Sequence, residues 1–356
     1  MRYITLDESV LGMRLGNDMY DSYGRILIGR GCELTEYCIE KLKNYGFDGV
    51  YIDDELSEGI EIENIISPQL RAEGMACIRE MDIDKCQVIA RRMVEEILNR
   101  GVLPMDLFDL RTYDDYTFAH SVNVAVLCGV MGIGLEMTET DLTYQITAAL
   151  IHDLGKLQIP DEILNKPGRL TPEEYQVMKT HPQLSYNLIK DRWDISSFVK
   201  TAVLFHHENV DGTGYPQGIT GDRQTIFTKV LHVADVYDAL VSKRPYKNPY
   251  SPFDAAEYLM ANCGTQFDME AVQILLQYVP LFPKGTEVKL SDGRKCIIYE
   301  NSGVHNLRPI VRLYDGDLID LSEPSNMMFT LSSTREDIVS ASSEFEEARK
   351  KMIGLA

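Results

Sequence analysis

Six of the chain's seven histidines fall between positions 120 and 232, at His120, His152, His181, His206, His207 and His232, and His305 lies alone outside that window. His152 is followed by Asp153, His206 and His207 form a doublet, and Asp235 comes shortly after. Neutral imidazoles with a few carboxylates are the ligand set of first-row divalent metals such as Fe, Mn or Zn. Each of these residues sits in a helical pattern or at a helix end, so the expected fold is one in which separate helices converge on one interior point.

Charge and thiols narrow the function further. The 356-residue chain carries 35 Lys and Arg against 55 Asp and Glu, a formal charge of −20. That balance argues against a nucleic-acid polymer or an anionic membrane as partner, because both need clustered positive charge. An anionic substrate would have to be met by a local positive centre. The seven cysteines are odd in number and contain no CxxC pair, which points to reduced thiols and a cytoplasmic location. The opening Met1–Glu8 lacks the apolar core of a signal peptide. The most apolar stretch, Val124 to Leu135, is shorter than the ~20 residues a membrane span requires.

Along the chain, residues 1–55 mix short β-rich runs with turns and one helical run, Thr35 to Lys43, and read as a small α+β accessory domain. Residues 56–104 read as a linker followed by a connecting amphipathic helix over about 70–99. Residues 105–281 are mainly helical, with starts marked by the Thr171-Pro172-Glu173-Glu174 capping box and by Ser251-Pro252-Phe253-Asp254. Residues 282–333 form a small β module: a hairpin around Ser291-Asp292-Gly293, with further strands over Pro309–Tyr314 and Met327–Leu331. A polar helical tail follows over 334–356.

The spacing within the helical region carries the chemistry. His152-Asp153 ends an apolar run just before Gly155, which reads as a helix stop, and Lys156 follows four residues after His152 on the same face. Asp153, beside a histidine ligand, is placed to bridge two ions. Pro182 disfavours helical geometry at His181 and predicts a break there. After the doublet, Asp211-Gly212-Thr213-Gly214-Tyr215-Pro216 reads as a tight loop beside the reaction centre. Arg244 and Lys247, past Asp235, are within reach of phosphate oxygens. A histidine taken singly is more often a core or surface residue than a ligand; His232 and His305 are assigned to that class.

Four segments together, His120 to Ala125, His152-Asp153-Leu154-Gly155-Lys156, His206 to Pro216 with its Gly214-Tyr215-Pro216, and Asp235 to Lys247, resemble the HD-GYP domain of the HD phosphohydrolase superfamily. The resemblance covers about half the chain. It implies an all-helical HD-type domain that hydrolyses the bacterial second messenger cyclic di-GMP to pGpG or GMP, with two divalent ions, Fe or Mn, and no organic cofactor. By position, one ion takes His120, His152, Asp153 and Asp235, and the other takes His181, His206 and His207 with Asp153 shared. Some family members hold a third ion with an acidic residue four positions before the first histidine; Tyr116 stands there, so two ions are expected. The implied mechanism is attack by a metal-bridging hydroxide, with Lys156 stabilising charge on the phosphate beside Asp153. Arg244, Lys247, Asp211, Gly214, Tyr215 and Pro216 would then contact the substrate. The alternatives are an HD phosphohydrolase for another cyclic dinucleotide, such as 3′,3′-cyclic GMP-AMP, and a catalytically weak cyclic di-GMP receptor. The flanks are candidate surfaces for a homodimer contact or a protein partner.

Overall fold

The computed structural model describes residues 1–100, 116–166, 168–242, 250–301 and 307–333. The start of the expected helical domain (105–115), His305, Arg244, Lys247 and the tail 334–356 lie outside the described residues. The architecture is mainly helical, flanked by two small sheet regions, as the sequence reading expects.

At the N-terminus, β1 (Arg2–Thr5) and β2 (Arg14–Leu15) both pair antiparallel with β5 (Gly49–Asp53). The strands β3 (Met19–Tyr20) and β4 (Ile26–Ile28) form a separate hairpin around the turn that opens at Asp21. Helix α1 (Glu36–Asn44) begins where Thr35 caps it by accepting from the Cys38 amide, and it buries Ile39 and Leu42 against this sheet region's own core.

The stretch expected as one helix over 70–99 is two, α2 (Pro68–Arg79) and α3 (Ile83–Arg100). Met81 takes a left-handed backbone with φ 53°, and the Asp82 carboxylate accepts from the Lys85 amide to restart the chain. Both sides of the break keep an apolar face, which is why periodicity alone runs through it.

Helix α4 (Tyr116–Gly134) is the axis of the domain. Every residue from 119 to 132 is buried, the polar His120, Ser121 and Asn123 among them, so no face of that stretch is left to solvent. The apolar run noticed in the sequence is therefore a central core helix. It packs against α5 (Glu139–Ile151), α2, and two later helices, α10 (Ile226–Val241) and α12 (Met269–Tyr278). No helix among the described residues is long and apolar enough to cross a membrane. Between α5 and α10 run α6 (Asp161–Leu164), α7 (Pro172–Met178), α8 (His181–Ile189) and α9 (Ser197–Phe205), and α11 (Pro252–Ala261) precedes α12.

The C-terminal region is a five-stranded antiparallel sheet in the order β10-β6-β7-β8-β9, with β6 (Glu287–Leu290), β7 (Lys295–Glu300), β8 (Ile310–Leu313), β9 (Leu318–Asp320) and β10 (Leu331–Ser333). Two details differ from the sequence reading. Residues 327–330 are not strand, β10 beginning only at Leu331, and β9 is an additional edge strand with two half-buried positions and an exposed Leu318. Strand β9 is only three residues long, too short for alternation to announce it. The two flanking sheets touch: the Tyr3 amide donates to the Gly285 carbonyl at 2.9 Å, and Arg312 of β8 donates to the Leu56 carbonyl at 3.3 Å.

Candidate metal centre

Five helix ends and faces deliver the cluster. His120 comes from the second turn of α4, His152 caps the C-terminus of α5, His181 opens α8, His206 caps α9 with His207 next, and Asp235 sits on the inner face of α10. The break comes just before His181, as a two-residue interruption between α7 and α8; His181 itself is helical, against the expectation, because Pro182 falls in the first turn of the new helix, where a proline costs no hydrogen bond. The chain leaves the α-helix at His152, as expected. Gly155 matters for a different reason than a helix stop: a Cβ there would lie 2.2 Å from the His181 carbonyl oxygen and 2.6 Å from the Ser185 amide. Glycine allows the Leu154–Gln158 turn to press against α8, and the Gly155 amide donates to Ser185 Oγ at 2.7 Å. Lys156 therefore reaches the centre from a 3₁₀ turn, not from a shared α-helical face.

Asp153 divides its two oxygens. Oδ2 lies 3.3 Å from His152 Nε2 and 3.7 Å from His120 Nε2, while Oδ1 lies 3.3 Å from His181 Nε2 and 3.8 Å from His206 Nε2. Asp235 Oδ1 is 3.0 Å from His120 Nε2 and 3.9 Å from His152 Nε2, and its Oδ2 is 3.9 Å from His207 Nδ1. The donor atoms form groups that could each hold an ion, among them His120 with His152 and Asp153, and His181 with His206 and His207.

The far side of each ring is tied down. The Nδ1 atoms of His152, His181 and His206 face the carbonyls of Ala149, Met178 and Val203, each three residues back, at 2.7 to 2.8 Å. Donation to those carbonyls fixes the tautomer and leaves Nε2 bare toward the centre. His120 instead sets Nδ1 against Asp238 Oδ2 at 2.7 Å. Asp238 is fully buried; it also accepts from Asn123 Nδ2 at 3.0 Å and from Ser242 Oγ at 3.1 Å. Asn123 in turn accepts from the buried Arg71 of α2 at 2.6 Å. Sequence reasoning missed Asp238, Asn123 and Arg71. The first two carried a signal, lying three residues after Asp235 and three after His120 on the same helix faces; Arg71 carried none.

Electrostatics separate the ligands. Burial opposes charge on His120, but hydrogen bonds to Asp235 and Asp238 outweigh it and raise its pKa to about 9. Burial and the nearby Lys156 lower His181 to about 4. Burial and neighbouring imidazoles hold His206 and His207 well below the ordinary value. Burial alone would raise Asp153 and Asp235, yet the surrounding imidazoles, with Lys156 beside Asp153, keep both well below the usual carboxylate range. Two anions beside the neutral imidazoles of His181, His206 and His207 suit a divalent cation, whereas His120 would have to give up its proton to coordinate one. The orphaned atoms fit as well: His152 Nε2 and Asp153 Oδ1 are buried without a hydrogen-bond partner, which costs free energy unless a bound cation meets them.

The centre opens on one side. Most of the cluster side chains are 7 % exposed or less, whereas His207 is 21 % and Lys156 23 % exposed. The Lys156 ammonium pairs with Asp153 Oδ2 at 2.5 Å. Tyr215 stacks on His207 with ring centroids 4.8 Å apart. Its amide donates to the His207 carbonyl, so the loop folds back on the doublet, and a Cβ at Gly214 would lie 2.3 Å from the Asn209 amide. Glu208, which sequence reasoning also missed, is buried and accepts from the amides of Gln217, Gly218 and Ile219, pinning the segment after Pro216. Asp211 is exposed and its carboxylate accepts from Thr213, within the loop itself. His232 lies behind the loop, donating from Nδ1 to the Glu208 carbonyl and packing on Phe267 as a core residue.

Comparison with known proteins agrees with this geometry. A family model described as HD domain matches residues 97–271. A cyclic di-GMP phosphodiesterase of Pseudomonas aeruginosa is 36% identical over 210 residues, which is 59% of this chain and 50% of that protein. A cyclic di-GMP phosphodiesterase response regulator of Xanthomonas campestris is 38% identical over 167 residues, 46% of this chain and 44% of the relative. A 3′3′-cGAMP-specific phosphodiesterase of Vibrio cholerae is 36% identical over 165 residues, 46% of this chain and 31% of the relative. The chain thus spans half or less of the length of these relatives.

Proposed function

Because this chain belongs, through residues 97–271, to the HD domain family and within it to the HD-GYP branch, we propose that it is a metal-dependent phosphodiesterase that hydrolyses cyclic di-GMP to pGpG or GMP. The single observation that carries the reading is Asp153, a buried carboxylate whose two oxygens face different pairs of histidine Nε2 atoms. A carboxylate so divided is what a bridge between two cations requires. His120, His152 and Asp235 would complete one ligand set and His181, His206 and His207 the other; the donor types suit first-row divalent ions, and the family resemblance favours Fe or Mn among them. When bound, such ions supply an acidified water and positive charge facing the phosphate.

The chain's own residues do the rest. Backbone carbonyls and Asp238 hold the imidazoles in register, so no ligand has to reorganise when substrate arrives. Lys156, half-buried at the opening, places an ammonium where non-bridging phosphate oxygens gather charge in an in-line displacement. Tyr215, held by Gly214 and followed by Pro216, walls the pocket beside His207, and Asp211 braces the loop through Thr213. Arg244 and Lys247 are proposed to contact phosphate oxygens of the substrate, scissile or distal. A net positive centre reconciles an anionic substrate with a chain of charge −20.

A second reading has a specific observation behind it: the Vibrio cholerae relative named for 3′3′-cGAMP matches at the same identity as the Pseudomonas relative. Metal-loaded protein incubated with cyclic di-GMP and with 3′,3′-cyclic GMP-AMP in parallel, with products separated by chromatography, tests both. Faster conversion of cyclic di-GMP to pGpG or GMP is the expected result. Faster conversion of the mixed dinucleotide would replace the substrate, and tight binding without product over hours would make the protein a receptor.

A further inference from the structure

Helix α7 carries an exposed tyrosine and a lysine that nothing in the metal centre uses. Tyr175 is 46 % exposed on a helix of only seven residues. Lys179 lies four residues on and sets its ammonium 4.6 Å from the Tyr175 ring centroid and 5.4 Å from that of Tyr215. Tyr215 itself stacks on His207, with its ring 6.5 Å from that of His181. A continuous path of aromatic and cationic groups therefore runs from solvent, through Tyr175, Lys179 and Tyr215, to the open side of the centre. The helix is well fixed for this purpose. Thr171 and Glu174 form its capping box, Lys166 pairs with Glu174, and three residues beyond its end the chain reaches His181.

We infer that Tyr175 and Lys179 form a nucleotide subsite at the mouth of the centre, in which the tyrosine ring stacks on a purine base and the lysine pairs with the phosphodiester not being cleaved. The inference rests on the phosphodiesterase reading and adds where the rest of the substrate goes. An exposed aromatic ring is the usual platform for a base, and stacking is strong enough to change affinity by about tenfold. An ammonium held beside two rings keeps its charge where the adjoining phosphate would lie.

The test uses cyclic di-GMP with metal-loaded wild-type, Tyr175→Ala, Tyr175→Phe, Lys179→Ala and Lys179→Arg proteins, measuring KM, kcat, equilibrium Kd and metal content for each. The alanine variants are expected to raise KM and Kd by about tenfold, with kcat and metal content retained, and the phenylalanine and arginine variants to recover most of the loss. Unchanged KM and Kd in both alanine variants would overturn the subsite, as would a loss confined to kcat and metal content, which would mean a structural role. If the wild-type protein binds cyclic di-GMP without turnover, the catalytic reading falls and Kd alone decides the subsite. Failure of the wild type to bind at all would overturn both.

Discussion

Asp153 and Asp238 are both buried carboxylates facing histidines, and they do different work. Asp153 meets Nε2 atoms from two sides and has one oxygen without a hydrogen-bond partner, the arrangement of a ligand. Asp238 meets the opposite nitrogen of His120 and is saturated by Asn123 and Ser242, the arrangement of a group that orients a ligand. Replacing Asp238 with Asn removes the anion behind His120 while keeping the size of the side chain. Metal affinity is expected to fall about 10- to 100-fold, read by chelator competition, with the circular dichroism of the helices unchanged. Unaltered affinity would show that the His120 tautomer is set elsewhere. The ligand types were legible in the sequence because histidine and aspartate at helix ends have few reasons to cluster. Arg71 was not: a single arginine in an amphipathic stretch looks the same whether its head reaches water or a buried asparagine, and only the packing of α2 on α4 decides.

At the scale of elements, the centre depends on how closely the Leu154–Gln158 turn approaches α8. Gly155 permits that contact, since any Cβ would collide with the His181 carbonyl, a backbone atom that cannot swing aside. Gly155→Ala is expected to destabilise the fold by about 1–3 kcal/mol and, because His181 opens α8, to lower metal content as well. Chemical denaturation and elemental analysis on the same preparation check this; loss of stability with full metal content would separate the turn from the centre. The helix starts were readable where caps announce them, at Thr171 and Ser251, while the helix after Thr35 was read from its apolar spacing. The division between α2 and α3 was not, because its cause is one left-handed residue, Met81, and methionine gives no hint of that conformation.

Over the whole molecule, a chain of net charge −20 gathers five histidines and two aspartates into one buried cluster. The histidine pattern foretold that helices would meet, and they do: α5 and α10 pack directly on the buried α4, α9 packs on α5 and α10, and α8 packs on α9. How the flanks sit was not legible. The contact between the β1 backbone and Gly285 joins residues far apart in the sequence, Tyr3 and Gly285, through main-chain atoms, which carry no sequence signature. The proposed function requires that these seven side chains hold two cations. Its most direct test is elemental analysis of protein purified without oxygen, wild type beside Asp153→Ala, with cyclic di-GMP turnover measured on the same samples. The account predicts about two Fe or Mn ions per wild-type chain together with hydrolysis, and loss of both metal and turnover in the variant. A metal-free wild-type protein, or a variant that keeps its metal and its turnover, would contradict it.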